Sequence, residues 1–469
     1  MKRESYSRHG KLLLVLSLVV TMLAACTGGS KSDLPPLAED GTGKIRVMYW
    51  GEEEFLLDYG TPFNVMYPDI EFEVVPMAEL RRSIEPDDNY TEKLTEFIKD
   101  KKLDVVLLNQ EEFKKIANEG MLYSLDALIR DEQYPIDDFH PGTIDILRQM
   151  GGNSLYGLSS YFESSVLFYN EDLFKEYGVE PPRPNMSVNE VLELAERFES
   201  KSNQGKDRIN GIHSEYMSPG MMLRSFASMA GLQFVDPKAE KIVMNSEAWK
   251  KLFIQYAELV KDKKTNFIEP DKQDGYAHGF LEGKSAMLIA DLWMMDNIRS
   301  AQLHNQSNKK KTFTWNIVPV PIDPAKPDES QMVKFGGIFA MLKDATNKRE
   351  AWEFIKFSAG PEMAKVNGSF SSKLTTRTKY QKDIWGANMG AFTKLKPSLS
   401  PSLQETLTKN KISASFIEQI DQSIYEAIHS VVDGKKSSEQ AYTDLLSELQ
   451  KHLDEARVKG QKEKDKPKK

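Results

Sequence analysis

The chain has 469 residues, a formal net charge of −8 and a single cysteine. That length is enough for two or three lobes with sizeable cores. The acidic balance argues against nucleic acid or an anionic membrane surface as partner, and one cysteine excludes any intramolecular disulfide.

The chain opens with Lys2, Arg3, Arg8 and Lys11, and Leu12 to Ala25 is then almost wholly apolar. A basic start, an apolar stretch of roughly 14 residues and small residues before a break describe an export signal over 1–25; a membrane span needs roughly 20. With Glu4 counted, this segment carries +3, which leaves −11 for the remainder of the chain. Leu23-Ala24-Ala25-Cys26 resembles the lipobox of bacterial lipoproteins, in which Cys26 takes a lipid and becomes the new N-terminus. The plainer alternative is cleavage after Ala25 with a free thiol left behind. Residues 26–43 mix Gly, Ser, Lys, Asp and Pro and read as a flexible tether.

From Lys44 short apolar strands alternate with amphipathic helices. Ile45 to Trp50 and the alternating Glu71 to Pro76 read as strands, Tyr90 to Lys102 as a helix, and Leu103 to Leu108 as a buried strand closed by Asn109. This spacing predicts βαβ units and a mostly parallel sheet covered on both faces. Ser187 and Glu190 have capping-box spacing at the start of a further helix. Helices are expected over 221–229, 247–260, 416–432 and 437–456, and strands over 286–290 and 315–321. Residues 457–469, rich in lysine, read as a disordered basic tail.

Seven scattered histidines without an H-x-x-x-H pair, and one cysteine, give no zinc pattern, so no metal is expected. Gly283-Lys284-Ser285 lacks the upstream glycine of a phosphate loop, because His278 stands there, and it leads into a strand where the loop requires a helix. No G-x-S-x-G elbow or G-x-G-x-x-G fingerprint occurs. Neither a cofactor nor catalytic residues are therefore assigned. Paired carboxylates of the glycosidase kind remain an open alternative, since their separation is not written in a sequence.

Three segments in order are similar to the family 1 extracellular solute-binding proteins. The first is Ser165-Val166-Leu167-Phe168-Tyr169-Asn170-Glu171-Asp172-Leu173-Phe174 with Tyr177-Gly178-Val179-Glu180-Pro181-Pro182. The second runs from Gly279 to Ile289 and on to Asp291-Leu292-Trp293. The third is Val318-Pro319-Val320-Pro321, Gly336-Gly337 and the helix of Ala351-Trp352-Glu353-Phe354. One departure is Asp291, where that family often has glycine. The resemblance implies an α/β, two-lobe, type II periplasmic-binding-protein architecture with a helical C-terminal extension. Its lobes would comprise 44–160 with 320–369, and 161–319 with 370–456. Crossing strands are expected near Ser160 to Val166, Val318 to Pro321 and Ser369 to Thr375. With lipid at Cys26 the protein is expected on the extracellular face of the bacterial cytoplasmic membrane, and one lipid per subunit with a hinge mechanism makes a monomer the default. There it would hand a small ligand, often an oligosaccharide, to the permease subunits of an ATP-driven importer. A surface-anchored carbohydrate-active enzyme and a ligand sensor presenting to a receptor are the alternatives.

A sugar offers apolar C–H faces ringed by hydroxyls, so its site needs flat aromatics together with carboxylates and amides. Trp50 ends the first strand with Glu52 just after it, Asn109 and Gln110 close the Asp104 to Leu108 strand, and Tyr161 and Glu163 fall at the first crossing. Trp293, beside Asp291, is the expected aromatic platform of the second lobe, and Gly336 and Gly337 would admit backbone to the ligand. Each has a structural alternative: packing for the tryptophans and glycines, a helix start for Glu52, a turn for Asn109, a hinge for Tyr161 and Glu163.

Overall fold

The computed structural model describes residues 34–85, 90–198, 209–213, 217–263, 265–266, 279–309, 311–369, 373–413 and 415–464. Cys26, the expected signal segment and residues 27–33 of the expected tether lie outside them. Strands follow in the order β1 Gly43–Tyr49, β2 Ile70–Pro76, β3 Val105–Leu108, β4 Gly157–Glu163, β5 Ser165–Asn170, β6 Asn210–His213, β7 Thr265–Asn266, β8 Ser285–Asp291, β9 Trp315–Pro319, β10 Glu329–Ser330, β11 Lys334–Met341, β12 Leu374–Thr375 and β13 Lys396–Pro397. The chain divides into two compact units, 1–138 with 147–158 and 338–358, and 139–146 with 159–337 and 359–469. Among the described residues no helix is long and apolar enough to cross a membrane.

In the first unit β1 pairs in parallel with β2 and β3, and the end of β11 adds antiparallel to β3. Val105 to Leu108 is buried throughout, as expected for a strand covered on both faces. The covering layer on one side is aromatic: Phe55, Phe63, Phe72 and Phe339 meet Phe354 of the helix Lys348–Ser358, with ring centroids 5.1 to 5.7 Å apart. Trp352 of the same helix is fully buried. Asp104, 1 % exposed, lies just before β3. Its carboxylate accepts from Arg46 N at 2.9 Å, Thr346 N at 2.9 Å, Asn347 N at 3.0 Å and Asn347 Nδ2 at 3.0 Å. It thereby ties β1, β3 and the start of the 348–358 helix at one point.

The second unit holds a five-stranded sheet in the order β7-β6-β8-β5-β9, in which β5 runs antiparallel to both neighbours. Val166, Leu167 and Phe168 are buried at its centre. The predicted capping box forms: Ser187 Oγ accepts from Glu190 N at 3.3 Å and Glu190 Oε2 accepts from Ser187 N at 2.7 Å. The helical extension consists of Ser415–Val432 and Ser438–Lys464, packed on Pro219–Met229 and Glu247–Lys261. Ala441, Leu445, Leu449 and Leu453 form its buried stripe, and Arg224 clamps Asp421 with two bonds of 2.8 and 2.9 Å.

Several expected boundaries move. The second passage between units falls at Gly337/Ile338 within β11, not at Val318 to Pro321, because β9 is held by β5 through pairs such as Val166 with Pro319. The third falls at Ser358/Ala359, ahead of Ser369 to Thr375, since Arg377 Nε donates to Ala359 O at 2.7 Å and Lys382 N to Gly368 O at 3.0 Å. The first falls at Leu158/Ser159 inside β4, and 139–146 adds an excursion that the sequence did not suggest. The last helix runs to Lys464, into the stretch read as a disordered tail.

Where β4 meets β11, Ser159 Oγ donates to Gly336 O at 2.7 Å and the Tyr161 ring lies flat on the glycine pair. A Cβ on Gly336 or Gly337 would sit 2.4 Å from that ring, and Gly337 also has φ +59°. Two predictions follow from this packing and from Asp104. Asp104→Asn turns one acceptor into a donor facing N–H groups and should lower unfolding free energy by about 3 kcal/mol. In urea this appears as a lower midpoint at unchanged slope, and a wild-type midpoint would remove Asp104 as a structural tie. Gly336→Ala and Gly337→Ala should each cost about 2 kcal/mol. Adding Tyr161→Ser should restore stability at 336 but only part of it at 337, where the left-handed backbone persists; equal recovery at both would show that the backbone angle carries no cost.

Candidate functional site

Parallel pairing aligns the carboxyl ends of β1, β2 and β3 along one edge of the first unit, where open α/β sheets receive ligands. Trp50 is the first residue beyond β1 and is 46 % exposed. Arg81, on the short helix Met77–Arg82 after β2, places its guanidinium carbon 5.3 Å from the centroid of that indole. Glu52 stands exposed in the first turn of Glu52–Phe55, beside Glu53 and Glu54, a favourable place for carboxylates. Asn109 follows β3 and caps the helix Gln110–Asn118, its Oδ1 accepting from Glu112 N at 2.9 Å while Glu112 Oε2 accepts from Asn109 N at 2.8 Å. The turn-forming alternative therefore accounts for the Asn109 oxygen, and Gln110 starts the helix.

Glu112 is buried, and that burial raises its carboxyl above the usual range against the opposing bonds from Asn109 N–H and the Tyr90 hydroxyl. Tyr90, at the start of Tyr90–Lys101, has its phenol pushed up to about 12, first by burial and then by the Glu112 carboxylate. Arg81 lies near enough to act on both groups. The first unit thus offers a linked surface of Trp50, Arg81, Tyr90 and the Asn109–Glu112 cap.

In the second unit β6, β7, β8 and β9 end along one edge and β5 begins there. Asp291 closes β8 opposite Ser165, whose hydroxyl donates to the Asp291 carboxylate. Trp293 opens the helix Trp293–Ser307 and is 42 % exposed. Glu163 ends β4, exposed. Tyr161, half-buried, has Gly336 and Gly337 against its ring and Lys373 Nζ 5.6 Å from the ring centroid. The geometry joins Tyr161 to Gly337 by direct packing and sets Asp291 next to Trp293.

Three participants escaped the sequence reading. Tyr90 starts a helix that reads as merely amphipathic, and Arg81 sits on the short helix Met77–Arg82, which the sequence reading does not assign. Trp385, 39 % exposed with the Arg299 guanidinium carbon 4.7 Å from its centroid, lies in a polar loop without periodicity. The only available signal was a large aromatic before glycine, where nothing periodic asks for one. Among the described residues no group of three or more His, Cys, Asp or Glu is placed to hold a metal ion.

A family model described as bacterial extracellular solute-binding protein matches residues 49–365. The sn-glycerol-3-phosphate-binding periplasmic protein UgpB of Escherichia coli K12 is 25 % identical over 304 residues, 61 % of this chain and 64 % of that protein. The chain thus aligns with less than two thirds of that relative. Among solved structures, a sugar transporter from Rhizobium etli in an open conformation matches with a TM-score of 0.62 at 18 % identity, over 88 % of this chain and 99 % of that one. MalE, the sugar-binding protein of Xanthomonas citri, gives 0.61 at 18 %, over 88 % and 98 %. A substrate-binding protein of Listeria monocytogenes in complex with cycloalternan gives 0.57 at 19 %, over 88 % and 99 %. The structural likenesses show a shared fold, and the sequence match covers most of the chain. The chain belongs to the bacterial extracellular solute-binding proteins.

Proposed function

We propose that this protein captures a saccharide and delivers it to the permease subunits of an ATP-driven importer, without chemical change to the ligand. The observation that carries the reading is the distribution of its six tryptophans. Trp249 and Trp352 are fully buried and Trp315 is partly buried in β9, whereas Trp50, Trp293 and Trp385 stand exposed. An exposed indole leaves a large apolar surface to water, and flat rings that sugar C–H faces can cover give that exposure a use. Asp291, Glu163, Glu52 and Tyr90 supply the polar complement for hydroxyls. Likeness to proteins described with cycloalternan and as sugar-binding supports the ligand class.

A ligand that binds one conformation more tightly than another raises its population, and the importer can read that population. Lipid at Cys26 would keep the protein at the outer face of the cytoplasmic membrane, acting as a monomer. A second ligand class, a phosphorylated polyol, is favoured by the likeness to UgpB and by Arg81, whose fork suits a phosphate.

A calorimetric panel of oligosaccharides plus glycerol 3-phosphate separates the two classes. Trp293→Ala should weaken saccharide binding by roughly tenfold, the worth of one good aromatic contact, with an unchanged melting temperature. Wild-type affinity in that variant removes Trp293 from the site. Release of reducing ends from an oligosaccharide by the purified protein would instead favour a hydrolase.

A further inference from the structure

Trp385 occupies a place that local structure does not favour for it. Ile384 and Ala387 form an antiparallel bridge, with Ala387 N donating to Ile384 O at 3.0 Å, and both are buried. Trp385 and Gly386 make the turn between them with φ of 52° and 83°. Two successive left-handed residues suit Asn-Gly or Gly-Gly, and a bulky aromatic there is a conformational outlier. The base of the hairpin is fixed, since Asp383 Oδ1 accepts from Met389 N at 2.9 Å and Met389 is buried. A strained residue held by a rigid base, with its ring turned to solvent, points to use and not to packing.

The ring is engaged by Arg299 of the Trp293–Ser307 helix. Arg299 lies about 9 Å along that helix from Trp293 at 1.5 Å per residue, and about 120° around it at 3.6 residues per turn. One helix of the second unit therefore carries an exposed aromatic at its start and steadies a second one further along.

We infer that Trp385 and Arg299 form a second saccharide subsite in the same unit as Trp293, so that the preferred ligand has two or more sugar rings. Trp385 takes the apolar face of the outer ring, and the Arg299 fork donates to its hydroxyls. The inference rests on the saccharide reading above and is tested so that the two can fail separately. Gluco-, xylo-, manno- and galacto-oligosaccharides, from single sugars to tetrasaccharides, are titrated calorimetrically into the full chain and into Trp385→Asn. Asparagine tolerates the left-handed turn, so this variant should melt no lower than wild type. The expected result is a loss of roughly tenfold for the longer members, with affinity for the single sugar unchanged. Arg299→Lys should lose part of the same gain, because it keeps the charge but not the fork. Equal loss at every length, no loss at any length, or a lower melting temperature for Trp385→Asn overturns the subsite. A wild-type chain that binds none of the sugars overturns the saccharide reading itself.

Discussion

The first unit depends on a buried carboxylate. Asp104 accepts four hydrogen bonds from positions 46, 346 and 347, so it joins segments that only the complete chain brings together. Removing a charged acceptor of this kind leaves several N–H groups without partners at once, which costs more than any one bond contributes. The consequence extends to the edge of the sheet. β1 and β3 are set in register by Val47 with Val105 and Met48 with Val106, and Asp104 fixes the start of that pairing. Trp50 and the Asn109 cap emerge at the other end of the same two strands. A polar tie at one edge therefore positions the polar and aromatic groups at the opposite edge.

The candidate surfaces of the two units are alike in kind. Trp50 has Arg81 over its face and Trp385 has Arg299, while Trp293 stands at a helix start beside a hydrogen-bonded Asp291. A guanidinium over an indole keeps a large ring in one orientation without burying it and leaves N–H groups for a ligand. On the proposed reading such groups would suit a hydroxyl-rich guest, with the ring under its apolar face and the guanidinium toward its oxygens. Tyr161 serves differently: with a ring wedged onto Gly336 and Gly337, it belongs as much to the packing of β4 on β11 as to any ligand.

Features governed by nearby residues were legible in the sequence. The alternation of strand and helix, the Ser187–Glu190 box and the Ala441–Leu453 stripe each follow from periodicity or cap chemistry, and they stand in the structure. Features that depend on distant pairing were not. Val318 to Pro321 looks like a crossing strand, but only its partnership with β5 decides to which unit it belongs. Asp104 reads as an ordinary charge before an apolar run, because its donors lie in β1 and in a loop 242 residues away. Asn109 was legible as a residue type with two uses, and the position of Glu112 settles where its oxygen goes. Trp385 carried no pattern at all, since its exposure and its left-handed φ become visible only in three dimensions.

The central claim of the proposed function is that the exposed indoles meet the ligand while the buried ones do not. Fluorine NMR of the chain labelled with 5-fluorotryptophan, titrated with an oligosaccharide that binds, tests it most directly. Resonances of Trp50, Trp293 and Trp385, assigned by single substitutions to phenylalanine, should shift on binding, and those of Trp249 and Trp352 should stay. Saturating ligand that leaves the three exposed indoles unmoved would contradict the account.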